Sequence, residues 1–267
     1  MTDNTYDTAV SDGLREDDHD RYLLTLMAPS PVDRHLVALY EFNNELAKTR
    51  SIVSEPMLGE IRLQWWRETL EGIYAGTVRE HDVSQALAAC IEAHHLDREA
   101  LLALIDARGA DIDAEPMATM DDLVHYAAAT GGLLEECAAT ITGEDQAIAH
   151  HAGTAWALVG LCRALPYHLS EEWNYLPQNL LRDLPSPEGG HQHFQPIVEA
   201  ICGEAVGRIE QVMASRARHA RLVAFHAGQY LALLRKGGYD TFNINYDRGA
   251  AWRLLRLGMK SITLPRG

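Results

Sequence analysis

The stretch RALPYHLSEEWNYLP, residues 163–177, decides how the chain is read. Upstream lies the longest uncharged apolar run in the sequence, residues 153–162, rich in alanine and glycine. Residues 144–165 as a whole carry the pattern of a central helix in tight contact on several sides. Pro166 has no N–H to give and its ring crowds the preceding turn, so this helix is expected to stop or kink at Leu165. The residues that follow, up to about 193, read as connecting structure, with DLPSPEGGHQH (183–193) as a mobile loop.

Helix patterns extend outward in both directions. A short one covers residues 20–27. SPVDRHLVALYEFNNELAKTR (30–50) offers Ser30 as a cap and Pro31 at the first helical position, where a missing N–H costs nothing. MLGEIRLQWWRETLEGIYAG (57–76) places Leu58, Ile61, Trp65 and Leu70 on the expected buried side and ends at Gly76. Two helices follow near 82–95 and 97–109. Another spans 120–141 with Thr119 as its cap. A long one, with room for one break, runs over 196–234. After the turn RKGGYD (235–240) a last helix is expected near 248–258. The pattern is all-α with short loops and no internal repeat. Residues 1–19 read as an acidic disordered tail and 20–267 as one helical domain.

Composition narrows the function. Hydrophobic residues make up 47% of the 267-residue chain, which supports a full core. The formal net charge of −15 repels phosphate backbones, so nucleic acid is excluded as a partner. Cys90, Cys137, Cys162 and Cys202 form no CxxC pair and lie in apolar helical stretches, as reduced core thiols do. The acidic N-terminus has neither the apolar run of a signal peptide nor the basic character of a transit peptide, and no run is long enough to span a bilayer. A cytoplasmic location is expected.

Four segments in order, YEFNNELAK (40–48), SEPMLGEIRLQWWRETL (54–70), LVHYAAATGG (123–132) and RALPYHLSEEWNYLP, resemble the squalene/phytoene synthase family over residues 20–245. The resemblance implies an isoprenoid-synthase-type helical bundle around a central cavity. It also implies a reaction, the head-to-head joining of two prenyl diphosphates. Diphosphate leaves only when its charge is neutralised, which Mg²⁺ does through oxygen ligands from two acidic motifs. Neither motif keeps its acids here. In the second, Arg163 matches the family arginine, and Tyr175, Leu176 and Pro177 match its downstream triplet. The carboxylate positions are then Ala164, Tyr167 and His168. In the first, Tyr40 and Phe42 set the register. Asn44 stands at the arginine, and Ala47 and Ser51 at the two ligand aspartates, with Lys48 between them. Glu41 and Glu45 form an i,i+4 pair aimed elsewhere, read as a solvated pair in preference to a Mg²⁺ site. The sequence is most similar to a divergent branch of the family without the aspartate-rich motifs, which includes a mitochondrial respiratory complex I assembly factor and bacterial relatives.

Other features read as structure. One of the adjacent Trp65 and Trp66 is core, while the other, Trp65, is a candidate for the cavity or its rim. Arg62 and Arg67 read as solvated surface arginines. The pairs His94/His95, His150/His151 and His191/His193 diverge on their helices with no acid or cysteine placed to complete a zinc site. No Ser-His-Asp set, G-x-S-x-G turn or glycine-rich phosphate loop is present. The C-terminal RGAAWRLLRLGMKSITLPRG (248–267) carries five cations and no acid. Trp252, Leu255 and Met259 share one helical face. The simpler expectation is a helix docked on the bundle, and the alternative is a membrane surface, with Trp252, Arg253, Arg256 and Lys260 as contacts.

These readings point to a non-catalytic relative without a metal cofactor. It would bind a protein partner or an apolar isoprenoid or lipid, serve the assembly of a respiratory membrane complex, and make peripheral contact with the inner membrane. Arg163 and Tyr175 are then structural. The alternative is a working prenyl diphosphate transferase that uses Mg²⁺ on displaced acids such as Glu41, Glu45, Asp111 or Asp113.

Overall fold

A computed structural model describes residues 5–53, 55–113, 116–182 and 187–264, and every regular element among them is helical. In chain order the α-helices are α1 (Thr5–Asp17), α2 (His19–Thr25), α3 (Val32–Ala47), α4 (Thr49–Ile52), α5 (Pro56–Tyr74), α6 (Asp82–His94), α7 (Arg98–Ala107) and α8 (Gly109–Asp113). Then come α9 (Met120–Ala127), α10 (Leu133–Thr142), α11 (Gln146–Ser170), α12 (Gln178–Arg182), α13 (Gln195–Met213), α14 (Arg218–Lys236) and α15 (Ala250–Thr263). None is long and apolar enough to cross a membrane. Where the sequence pointed to one domain after a tail, contacts group the chain into two compact units. One takes in Met1–Asp113 and Glu136–Gln146, the other Ala114–Glu135 and Ala147–Gly267.

The first unit corrects the reading of the N-terminus. Residues 5–17 are helical, and α1 packs against α3 and α6. Val10 and Leu14 sit one turn apart on one face and are buried, which is enough to dock an otherwise polar helix. Residues 1–4 lie outside the described residues. The expected Ser30 cap is also absent. Pro31 occupies the N-cap position with φ −91° and ψ 3°, just outside helical geometry, so the first helical residue is Val32 and Ser30 falls one position too early.

The buried side of α5 differs from expectation as well. Leu58 and Ile61 are exposed, Trp65 is half-buried, and only Leu70 of the four is fully buried. The inward face runs through Gly59, Leu63, Trp66, Leu70 and Ile73. Gly59 lies against α8, where an added Cβ would stand 2.9 Å from Ile112 Cδ1, so a larger residue there requires the Ile112 side chain to shift.

In the second unit, Thr119 caps α9 as expected and exchanges hydrogen bonds with Asp122 in a capping box. The expected continuous helix is interrupted by a π-helical turn, Ala128–Gly132, before α10. That turn brings Gly131 against Gly153 of α11. A Cβ on Gly131 would lie 2.5 Å from the Gly153 carbonyl oxygen, and a Cβ on Gly153 would strike the Gly131 carbonyl. Backbone meets backbone here, which explains the alanine- and glycine-rich composition of α11.

The expected stop at Leu165 is overturned, because α11 continues through Pro166 to Ser170. Pro166 cannot donate to the Cys162 carbonyl, four residues back. The Thr241 hydroxyl donates to that oxygen instead, at 2.8 Å, and lies 3.0 Å from the Tyr246 hydroxyl. Part of the expected loop is helical. Pro187–Phe194 forms 3₁₀ turns on either side of a kink at Gly190 (φ 65°), and His191 stacks against Phe242 with ring centroids 3.9 Å apart, while residues 183–186 lie outside the described residues. All four cysteines are buried and free.

Thr241→Val leaves the Cys162 carbonyl buried without its donor and should lower unfolding free energy by about 1–3 kcal/mol in urea titrations. Adding Pro166→Ala restores a main-chain N–H, so the double variant should recover part of that loss. Additive effects of the two substitutions would rule out the compensation.

Candidate functional site

Each unit holds one of the two degenerate motifs. In the first, α3 carries Tyr40, Asn44 and Ala47. Tyr40 is fully buried with the Arg21 guanidinium 5.5 Å from its ring centroid. Ala47 and Ser51, at the ligand-aspartate positions, are exposed, and the Ser51 hydroxyl donates to the Lys48 carbonyl at 2.9 Å. The charged chemistry lies beside them. Lys48 Nζ sits 3.2 Å from Glu45 Oε1 and 3.7 Å from Glu41 Oε1, and it also contacts Asp17 of α1. Arg62 of α5 holds the other Glu45 oxygen at 2.5 Å, so it is a paired, half-buried group and not the solvated arginine expected. Arg67 pairs with Asp106 at 2.8 Å.

Glu41 and Glu45 are therefore no solvated pair. Glu41 is buried under α1, where a Cβ on Gly13 would lie 2.7 Å from Glu41 Oε1. Asn44 donates to its other oxygen at 2.9 Å. Burial pushes the Glu41 carboxyl up to about 7, against the opposing pull of the Asn44 hydrogen bond and the Lys48 charge. For Lys48, burial works against the charge, but the Asp17 hydrogen bond and the Glu41 and Glu45 carboxylates outweigh it and raise its pKa above the ordinary lysine value. Trp65 lies edge-on to Trp66, centroids 4.8 Å apart, with Arg79 5.0 Å from its ring. Trp66 is the core member of the pair.

In the second unit, Arg163 of α11 lies with its guanidinium 3.5 Å from the Tyr230 ring centroid and 5.7 Å from that of Tyr246. Arg253 of α15 approaches the same Tyr230 ring at 5.0 Å. The planar, weakly hydrated guanidinium is suited to such stacking. Ala164 is half-buried and Tyr167 exposed. His168 packs on Tyr175 at 4.8 Å, and Tyr175 on Tyr126 at 5.5 Å. The ring positions of the motif thus form an aromatic cluster that joins α9 to the turn after α11.

One further placement departs from the sequence reading. Arg253, a candidate membrane contact, is buried and donates to the carbonyls of Tyr246 and Arg248. Trp252 and Arg256 are exposed, and Lys260 is half-buried with its ammonium 5.6 Å from the Phe225 ring. Sequence reasoning missed Asp17, Gly13, Tyr230, Thr241 and Tyr246. Gly13 and Asp17 lay in a segment assigned to a tail, and the others act through tertiary neighbours that no local spacing encodes.

The donor set does not fit a magnesium site. The five positions that matter hold two alanines, a serine, a tyrosine and a histidine. The carboxylates of Glu41 and Glu45 are engaged by Lys48 and Arg62. Among the described residues, no three His, Cys, Asp or Glu side chains converge as ligands of a metal ion would.

The described residues form only helical elements and carry Arg163 and the Tyr175-Leu176-Pro177 triplet. The family model for squalene/phytoene synthase matches residues 14–256, and the chain belongs to that family. Among curated relatives, the "NADH dehydrogenase (ubiquinone) complex I, assembly factor 6" proteins of Mus musculus and Homo sapiens are each 32% identical over 171 residues, 62% of this chain and 51% of theirs. A Dictyostelium discoideum homolog of that factor is 23% identical over 177 residues, 64% of this chain and 50% of its own. The chain spans about half the length of these curated relatives. Squalene synthase HpnC from Alicyclobacillus acidocaldarius superposes with a TM-score of 0.77 at 17% identity, covering 88% of this chain and 95% of that one. A dehydrosqualene synthase solved in complex with ligand gives 0.79 at 16% identity, covering 97% and 96%. These structures place the fold as the isoprenoid-synthase type.

The buried Glu41 has a pH signature. The folded chain keeps its proton up to about pH 7, while the unfolded chain releases it near the ordinary 4.5. Stability should therefore fall as pH rises through that window and level off above it, by on the order of 3 kcal/mol. Glu41→Gln is neutral throughout and should remove this slope in urea titrations across the same window. Parallel pH profiles for wild type and variant would show that Glu41 is not the group responsible.

Proposed function

We propose that this chain is a non-catalytic member of its family that assists the assembly of a respiratory NADH dehydrogenase by binding a protein partner. The observation that carries the reading is the Lys48 ammonium, held among Asp17, Glu41 and Glu45 beside the first degenerate motif. An internal cation there supplies fixed charge where prenyl transfer would need an exchangeable divalent ion and free coordination positions. The other displaced acids offer no substitute. Asp111 is buried and pairs with Arg108 at 3.3 Å, and Asp113 is exposed. The second motif has become an aromatic and arginine stack that packs helices together. The relatives aligned over 171 residues are themselves named as complex I assembly factors, which supports the same role here.

Purified protein given farnesyl or geranylgeranyl diphosphate with Mg²⁺ should release no diphosphate above the buffer control. Cells lacking the chain should show less fully assembled NADH dehydrogenase on native gels, restored by the wild-type gene. Robust diphosphate release would establish the transferase reading instead, and unchanged assembly would remove the partner role.

A further inference from the structure

Helix α15 presents two unlike faces. Arg253, Leu257, Ser261 and Leu264 follow helical spacing and are buried. Arg218 of α14 fastens this face by donating to the Ser261 carbonyl at 3.2 Å and to its hydroxyl at 2.8 Å. The opposite face carries Trp252, Leu255, Met259 and Ile262, at i, i+3, i+7 and i+10. They are 60%, 51%, 47% and 85% exposed. Four large apolar side chains in one ridge on a docked helix exceed what scattered surface residues account for.

The charge around the ridge selects what covers it. Residues 248–267 contain no acid, although the chain carries a formal net charge of −15. Arg248 and Arg256 are exposed, and Arg256 and Lys260 border the ridge with their cationic ends 5.8 and 5.6 Å from the Phe225 ring. A two-fold contact between copies would set the same basic border against itself, which like-charge repulsion opposes. An anionic bilayer satisfies both features, since the apolar ridge enters the acyl boundary while the cations meet lipid phosphates. We infer that α15 docks the protein on anionic phospholipid membranes through the Trp252–Leu255–Met259–Ile262 ridge, with Arg256 and Lys260 at the headgroups. The inference stands apart from the assembly role, because its test does not depend on any partner protein.

The test is vesicle flotation of the full chain. Wild type should float with vesicles of phosphatidylcholine mixed with phosphatidylglycerol and stay behind with phosphatidylcholine alone. Two variants separate the contributions: W252S/L255S/M259S/I262S removes the ridge, and R256E/K260E reverses the border. Each should reduce the bound fraction at least about tenfold while leaving the helical circular dichroism spectrum unchanged. Failure of wild type to float with the anionic vesicles would overturn the inference, as would wild-type binding by the ridge variant. So would a wild-type dimer that the ridge variant converts to monomer, since the ridge would then be an interface between copies.

Discussion

An ammonium group surrounded by carboxylates organises the first half of this molecule. Lys48 Nζ draws Asp17 from α1 and Glu41 and Glu45 from α3 to one point, and Arg62 adds α5 through Glu45. Glu41 is buried and the others are half-exposed, so the loss of a partner is most costly at Glu41. Glu41, the most buried of them, responds to its surroundings by holding its proton to near neutrality. The cluster therefore ties the N-terminal helix to the bundle by the same contacts that fill the region beside positions 47 and 51.

The second half depends on main-chain accommodation. Gly131 and Gly153 let two helical segments meet without side chains between them. A few turns on, Pro166 breaks the ladder of α11, and Thr241 from a distant loop repairs it. Arg163, which in the sequence matches the family arginine, lays its planar face on Tyr230 and Tyr246. The residues at these motif positions act in this fold as packing and capping elements.

Helix order was readable because amphipathic periodicity and caps are local. The Thr119 box and the end near Gly76 follow from neighbours within a turn. What failed was whatever required a partner far along the chain. Gly59 on the inward face of α5 lies against Ile112 of α8, and no count of leucines on α5 reveals that contact. Helix α1 shows only Val10 and Leu14 as apolar anchors in a polar stretch, too faint a signal against its acidic composition. The loss of the expected carboxylates was visible at once from residue identities. The cation that occupies their neighbourhood was visible too, but not Asp17, its third partner.

The position of α1 carries a practical consequence. The family match begins at residue 14, inside this helix and past Gly13. A shortened version trimmed to residue 20, the start of the sequence-level likeness, would strip the roof from Glu41 and one anchor from Lys48. Water would then reach a carboxyl that α1 covers in this chain, and its acid strength would return toward that of any surface glutamate. Experiments on such a fragment would report on an electrostatic arrangement the intact chain does not possess.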